Sequence, residues 1–527
     1  MEEIIYYCFL ISFLFFLILK LKSELHIFQL NSYRNIRYWR WHKKNFFNLK
    51  NNVSNGIMML STIFIFLELY IFSSIILILL FNFFIIKFIR KKYKKKLVFT
   101  KRATRLFITQ IILSFLYLSF IFTKDFSNLN VLYIIIFVIF IFAISIIANI
   151  VVSPIEIYIN NWYYKDAKKN LKSNPNLLII GITGSYGKTS TKHFLKRILS
   201  EKYNVLITPG SYNTTMGVVR TIREFLNSTH QIFIAEMGAK QIGDIKEICE
   251  LINPKIGILT AVAEQHLETF KNLKNIQKTK FELVDSISNE GFVVLNDDYE
   301  LINEKKNKIK NTKSYFYSLK NGFSDYYAKN IFFTKNGTKF EIYEKEKLIL
   351  NLESKLMGDY NISNILASCV VALKLGVKKE NIYYAVKKLE SVKHRLEIKK
   401  QSNGITIIDD AFNSNPVGAK MALNILKNID GERKIIVTPG MIELQDKQDF
   451  FNQKFGEQIS KSCDYVILVG KKQTTSIFKG LEKNAFKKEK IFIAKNLSQA
   501  SKHLREFAKK GDVILYENDL PDTFEES

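Results

Sequence analysis

The chain has 527 residues, with 77 Lys and Arg against 49 Asp and Glu and a formal charge of +28, a length that accommodates about three domains. An excess of that sign points to nucleic acid or to an anionic membrane surface, and the apolar runs at the start of the chain select the membrane over nucleic acid. Cys8, Cys249, Cys369 and Cys463 are scattered without a C-x-x-C pair, which argues against a zinc ribbon or a disulfide framework and fits a reducing compartment.

The first apolar run, Ile4 to Leu19, approaches with its flanks the roughly 20 residues needed to cross a hydrocarbon core of about 30 Å. Glu2 and Glu3 precede it and no small-residue cleavage site follows, so it reads as an anchor and not a signal peptide. Further apolar runs cover Ile57 to Ile86, Leu106 to Phe122 and Val131 to Val152. The basic stretches between them, Lys20 to Lys50 and Lys87 to Arg105, belong on the cytoplasmic side. The run Ile57 to Ile86 must then cross an even number of times, as a hairpin broken near Ser73-Ser74 into helices of about 15 residues. Glu68 falls inside it, where a lone carboxylate costs about 2.5 to 3.5 kcal/mol. Five crossings with the last helix ending at Pro154 predict a multi-pass cell-membrane protein whose remaining domains are cytoplasmic.

From Asn176 onward apolar strands alternate with helical patterns, the signature of a mostly parallel sheet with crossover helices. The expected strands are Leu177 to Ile180, Val205 to Thr208, Ile232 to Ala235, Ile256 to Thr260 and Phe292 to Leu295, then Ile405 to Ile408, Ile435 to Thr438, Val466 to Val469 and Val513 to Tyr516. Between the first strand and a helical pattern stands Gly184-Ser185-Tyr186-Gly187-Lys188-Thr189-Ser190. The glycines turn backbone N–H groups toward phosphate, and the helix N-terminus adds its partial positive charge. Lys188 would reach the terminal phosphates and Thr189 a magnesium ion. The strict G-x-x-x-x-G-K-[ST] pattern fails at Ile182, leaving the shorter G-x-x-G-K-T. Glu236 closes a strand, where it can hold a magnesium beside Thr189. His266 follows another strand, and Lys280 lies in the next helical pattern.

These motifs, in this order, resemble the Mur ligase family, most closely the type that adds D-alanyl-D-alanine to the UDP-N-acetylmuramoyl tripeptide. The resemblance also rests on Asn296-Asp297-Asp298, Gly358-Asp359-Tyr360-Asn361, His394-Arg395-Leu396-Glu397, Asp409-Asp410-Ala411-Phe412-Asn413-Ser414-Asn415-Pro416 and Gly440-Met441-Ile442-Glu443-Leu444. It implies a P-loop parallel-sheet ATPase domain over 154–397 and a smaller Rossmann-like α/β domain over 398–527, after a transmembrane helical bundle over 1–153. It implies an ATP-dependent amide ligase that activates a carboxylate as an acyl phosphate, with a cell-wall precursor, an amine, ATP and membrane lipid as its partners.

Gly184, Ser185, Gly187, Lys188, Thr189, Ser190, Asn361 and Asp410 are then the nucleotide residues, and Lys188, Lys280, His266 and Arg395 the catalytic ones. Thr189 and Glu236 would serve one Mg2+, and His266 with a carbamoylated Lys280 the other. Two departures stand out: membrane runs occupy the place of the family's UDP-binding domain, and Tyr212-Asn213-Thr214 replaces its usual Asn-Asn-Glu. A different amine, a lipid-linked acceptor, or an idle ligase domain serving as a membrane scaffold are the alternatives.

Overall fold

The computed structural model describes residues 2–46, 70–90, 93, 95–122, 128–309, 312–334, 337–412 and 414–519. Contacts divide them into a unit ending at Asn161 and a second beginning at Trp162.

No strand forms among the described residues of the first unit, whose helices are Glu2–Leu30, Asn35–Phe46, Tyr70–Arg90, Lys101–Phe122, Asn128–Ile139 and the start of Ile141–Lys172. Phe9, Phe13, Phe16 and Phe81 are buried together in its core. Three helices, Phe72–Arg90, Lys101–Ile121 and Ile141–Lys172, are long and apolar enough to cross a membrane, with mean hydropathies of 2.4, 1.6 and 1.9. They leave Leu79 66%, Phe83 60% and Phe115 70% exposed, an apolar exterior that suits lipid better than water. Inside the unit Glu24 is buried, held by Lys20 at 2.6 Å, Tyr38 at 2.5 Å and His42 at 2.9 Å.

Three sequence expectations change here. The helix Tyr70–Arg90 passes through Ser73-Ser74 unbroken, so no hairpin turns there; residues 57–69, Glu68 among them, lie outside the described residues. The run Val131 to Val152 is interrupted by a turn at Phe140. The last helix does not end at Pro154 but continues to Lys172. Proline in a helix removes one backbone donor and crowds the preceding turn, a local loss that apolar helices tolerate when the residues on both sides are helical.

The second unit holds two sheets. In the first, β1 (Leu178–Thr183), β2 (Val205–Ile207), β3 (Ile232–Glu236), β4 (Ile256–Leu259), β5 (Phe292–Asn296), β6 (Lys313–Ser318), β7 (Tyr326–Thr334), β8 (Gly337–Glu344) and β9 (Lys347–Ser354) are ordered β2-β3-β1-β4-β5-β6-β7-β8-β9. Pairing is parallel as far as β7, and β7, β8 and β9 form an antiparallel meander. Alternate residues of β1 enter two different cores, Ile179 on one face and Ile180 and Ile182 on the other. Both faces are therefore covered by helices, which is why these strands read as unbroken apolar runs.

The second sheet contains β10 (Glu397–Lys400), β11 (Thr406–Asp410), β12 (Lys434–Thr438), β13 (Tyr465–Val469), β14 (Ile491–Ala494) and β15 (Val513–Glu517), ordered β10-β11-β15-β12-β13-β14. Only β10 is antiparallel to its neighbour. The second unit is thus built of two α/β layers, and sheets of this kind bind ligands at the carboxyl ends of their strands.

The helices Gln448–Ile459 and Thr475–Lys483 cross backbone to backbone. A Cβ on Gly480 would lie 2.0 Å from the Gln453 carbonyl oxygen, and one on Gly456 2.2 Å from that of Ile477. Gly480→Ala must push the helices apart and is expected to destabilise the second unit by about 1–3 kcal/mol. A lowered denaturation midpoint reads this out, with Gly322→Ala as the control because nothing lies within 4 Å of a Cβ there.

Candidate active site

β1 ends at Thr183, and the chain turns through Gly184-Ser185-Tyr186-Gly187 into the helix Lys188–Leu199. Gly184 and Gly187 take φ of +152° and +85°. A Cβ would meet Thr260 Oγ1 at 2.1 Å from Gly184, and Asn364 Oδ1 at 2.7 Å from Gly187. The loop is pressed against the residue that follows β4, so only glycine suits these two positions. Ser185 Oγ anchors it by donating to the Ala263 carbonyl at 2.8 Å. Lys188 Nζ curls over the same loop and donates to the Gly184 carbonyl at 2.6 Å and that of Ser185 at 3.3 Å. Burial pushes this ammonium down to about 8, with Glu236 opposing the fall and Arg395 adding to it.

Glu236 stands at the end of β3, one strand over from the loop, because Ile182 of β1 pairs with Glu236 in register. It is 2% exposed, and Lys192, 0% exposed, reaches its Oε2 at 2.9 Å. Its Oε1 accepts from Thr189 Oγ1 at 3.2 Å and from Asn213 Nδ2 at 3.1 Å. Burial alone would raise this carboxyl, but Lys192, Lys188 and the hydrogen bonds outweigh it and hold it below its usual range. Glu236 is thus a fixed carboxylate beside the loop.

Lys280 is fully buried on the helix Leu273–Asp285 and its Nζ has no hydrogen-bond partner. Burial, followed by the nearby charge of Lys188, drives it well below the ordinary lysine range, against the pull of Asp244 and Glu282. His266 takes a left-handed backbone, φ 49°, and its Nδ1 pairs with Glu443 Oε2, a residue outside the first sheet's region.

On the other flank of the loop Tyr186 bonds the Tyr299 hydroxyl, and Ser190 Oγ lies 3.2 Å from the Tyr360 hydroxyl. Asn361 Nδ2 donates to the Met357 carbonyl at 2.8 Å. Arg395 lies over the Phe412 ring at 4.3 Å. Asp410 and Glu517 face each other across β11 and β15, and Ser414 donates to Glu517 at 2.5 Å. Burial, opposed by Arg395, lifts Asp410 to about 6; burial and the Asp410 charge lift Glu517 well above the carboxylate range.

The structure therefore brings Lys188, Thr189 and Glu236 together, with Lys280 and Arg395 within electrostatic reach of Lys188, while Asn361 and His266 are engaged by Met357 and Glu443. Sequence reasoning missed Lys192, Asn213, Glu443 and Glu517. Lys192 carried a signal, since it lies one turn after Lys188 on the same helix face.

A phosphate loop with a fixed carboxylate beside it, followed by a second α/β sheet carrying acidic strand ends, defines a nucleotide-binding α/β class. Known families agree. The Mur ligase middle domain matches residues 182–372, and the domain described as Mur ligase, glutamate ligase domain matches 394–516. The chain belongs to the Mur ligase family and is a ligase of the MurF type. It is 28% identical over 340 residues to the UDP-N-acetylmuramoyl-tripeptide--D-alanyl-D-alanine ligase of Bacillus subtilis, covering 64% of this chain and 72% of that one. It is also 28% identical over 340 residues to the UDP-N-acetylmuramoylalanine--D-glutamate ligase of Caldicellulosiruptor bescii, covering 64% and 69%. The crystal structure of the MurF ligase from Thermotoga maritima in complex with ADP superposes with a TM-score of 0.61 at 25% identity, over 68% of this chain and 80% of that one.

Removing Lys192 leaves a buried carboxylate without its cation, at a cost of about 3–5 kcal/mol. Lys192→Met should lower the denaturation midpoint accordingly, and Lys192→Met combined with Glu236→Gln should recover most of the loss.

Proposed function

We propose that the protein is a membrane-anchored, ATP-dependent amide ligase that adds D-alanyl-D-alanine or a similar amine to a cell-wall precursor, with its catalytic domains on the cytoplasmic side. The observation that carries the reading is the cluster of Lys188, Thr189 and the buried, ionised Glu236 on a phosphate loop in a chain similar to MurF ligases. An acceptor carboxylate oxygen attacks the γ-phosphorus as the bond to the bridging oxygen breaks, and ADP leaves. The amine nitrogen then attacks the acyl carbon, phosphate departs and the nitrogen loses a proton.

Lys188 and the loop amides hold the polyphosphate, and Arg395 and Asp410 approach the nucleotide from the second sheet's side. Asn361, at the start of the helix Asp359–Lys374, is assigned to the adenine. Thr189 and Glu236 are assigned to one magnesium ion, and His266 with a carbamoylated Lys280 to a second. Thr189 and Glu236 already point at each other, and an ionised carboxylate is a hard-cation ligand. Lys280 is a buried amine without a partner, the form that takes up CO2 to become an anionic carbamate; His266, its Nδ1 engaged, offers Nε2. Bound magnesium would neutralise charge on the polyphosphate. The D-glutamate-adding relative supports a second reading, a Mur ligase for another amine.

Full-length protein in detergent with Mg-ATP, D-alanyl-D-alanine and either the UDP-linked or the lipid-linked tripeptide should release ADP, and Lys188→Ala should abolish it. No release with either acceptor across an amine screen defeats the proposal, and complementation by Lys188→Ala would favour a scaffold. Stripping CO2 from the buffer should slow the reaction and bicarbonate restore it. Lys188 binds phosphate when charged, so kcat/KM for ATP, which reports the free enzyme, should fall as pH rises through about 8. A flat profile to pH ~10, near the reference lysine value, counts against Lys188 as the phosphate-binding cation.

A further inference from the structure

A cavity of about 850 Å3 opens along the helix that follows the phosphate loop. That is in the upper part of the range for small-ligand sites, about 300–1,000 Å3. One wall is a stripe of the helix Lys188–Leu199: Thr189, His193 and Arg197, spaced four residues apart and so on one face. The stripe carries the cavity about 12 Å from the metal-binding end of the helix. Around it stand Lys355, Lys388, Lys393 and Arg395, against a single carboxylate, Glu390.

These cations differ in how far they are already used. Arg197 pairs with Glu201 at 2.5 Å, Lys388 caps the Tyr384 ring at 4.0 Å, and Arg395 covers Phe412. Lys355 and Lys393 are exposed and have no acidic partner among the described residues. His193 is pushed down to about 4 by burial and by Lys192, so it is neutral at physiological pH and serves as wall. His394, also at the rim, is tied to Asp409 at 2.8 Å. The unpaired positive charge in the lining therefore lies on Lys355 and Lys393.

If the site is the ligase argued above, the reacting carboxylate of the acceptor must reach the γ-phosphate near Thr189. The rest of that molecule then extends along the stripe, in a cavity whose lining carries more cations than its single carboxylate, Glu390, can match. Before β1 the described residues are all helical or irregular, so no sheet domain there takes up the anionic carrier. We propose that this cavity binds the acceptor and that Lys355 and Lys393 in its lining hold a diphosphate ester on the acceptor's carrier. The inference rests on the ligase reading for its orientation. The diphosphate chemistry is shared by nucleoside-diphosphate and polyprenyl-diphosphate carriers.

The test uses the full-length protein in detergent and the double variant Lys355→Glu/Lys393→Glu, with Lys355→Gln/Lys393→Gln as the milder pair. Three acceptors are compared: the UDP-linked tripeptide, the polyprenyl-diphosphate-linked tripeptide, and the same peptidyl sugar lacking the diphosphate. Equilibrium binding is measured alongside steady-state kinetics. The Glu pair should weaken binding and raise KM for a diphosphate-linked acceptor about tenfold or more, as the loss of charge-assisted hydrogen bonds implies, and the Gln pair by less. KM for ATP and affinity for the diphosphate-free sugar should stay within about twofold, below the resolution of one such bond. The carrier for which wild-type affinity is higher identifies the source.

Unchanged affinity for both diphosphate-linked acceptors, an equal loss for the diphosphate-free sugar, or a rise in KM for ATP alone would each overturn the assignment. Wild-type protein that binds a diphosphate-linked acceptor through these lysines but releases no ADP would leave the cavity assigned and remove the ligase reading instead.

Discussion

Lys192 and Glu236 meet in a place from which water is excluded, and the phosphate loop takes its shape around them. A carboxylate moved out of water is costly unless a cation and hydrogen bonds replace its hydration. Here Lys192 takes one oxygen, Thr189 and Asn213 take the other, and Thr208 Oγ1 accepts from the Glu236 amide at 3.1 Å. Because Glu236 is the last residue of β3 and Lys192 lies in the second turn of the helix after the loop, the pair ties helix to sheet across the strand that carries the loop. The first turn of that helix, with Lys188 and Thr189, is held where β1 ends. Glu236 also keeps Lys188 more basic than burial alone would leave it.

The parts of the fold nearest this pair were the most legible. β1, β3, β4 and β5 are covered on both faces, so each is an apolar run, and the expected bounds differ from the observed ones by no more than one residue except at the end of β1, which runs three residues further, to Thr183. The meander of β7, β8 and β9 gave no such signal. β7 contains Lys329 and Asn330, and its Phe332 and Phe333 are exposed, so neither an unbroken run nor a regular alternation marks it. In the first unit composition pointed to apolar helices but misplaced their ends. Pro154 and Ser73-Ser74 are breakers only where the backbone has an alternative, and a helix that is apolar on both sides of them offers none.

Legibility of the site divides by range. Glycine spacing, the lysine and the threonine after it, and a glutamate at a strand end are local patterns, and Thr189 and Glu236 do hydrogen-bond. Partnerships between distant residues left no mark. Lys192 looks like any helix lysine until its burial is known. His266 finds Glu443 across 177 positions, and Asp410 finds Glu517 only because β11 and β15 are neighbours in the second sheet. Hydrophobic pattern predicts which residues are inside, but it does not say which charged residues go inside with them.

The charges around the loop share one logic. Lys188 is depressed by burial and by Arg395, Lys280 by burial and by Lys188, while Glu236 works against the fall at Lys188. These cationic groups act against one another, and the carboxylates near Arg395 do not relieve them fully, since burial raises both Glu517 and Asp410 above the usual carboxylate range. Such a balance changes sign when a polyphosphate enters: each repulsion becomes an attraction to a common anion, in a site where low polarity strengthens it.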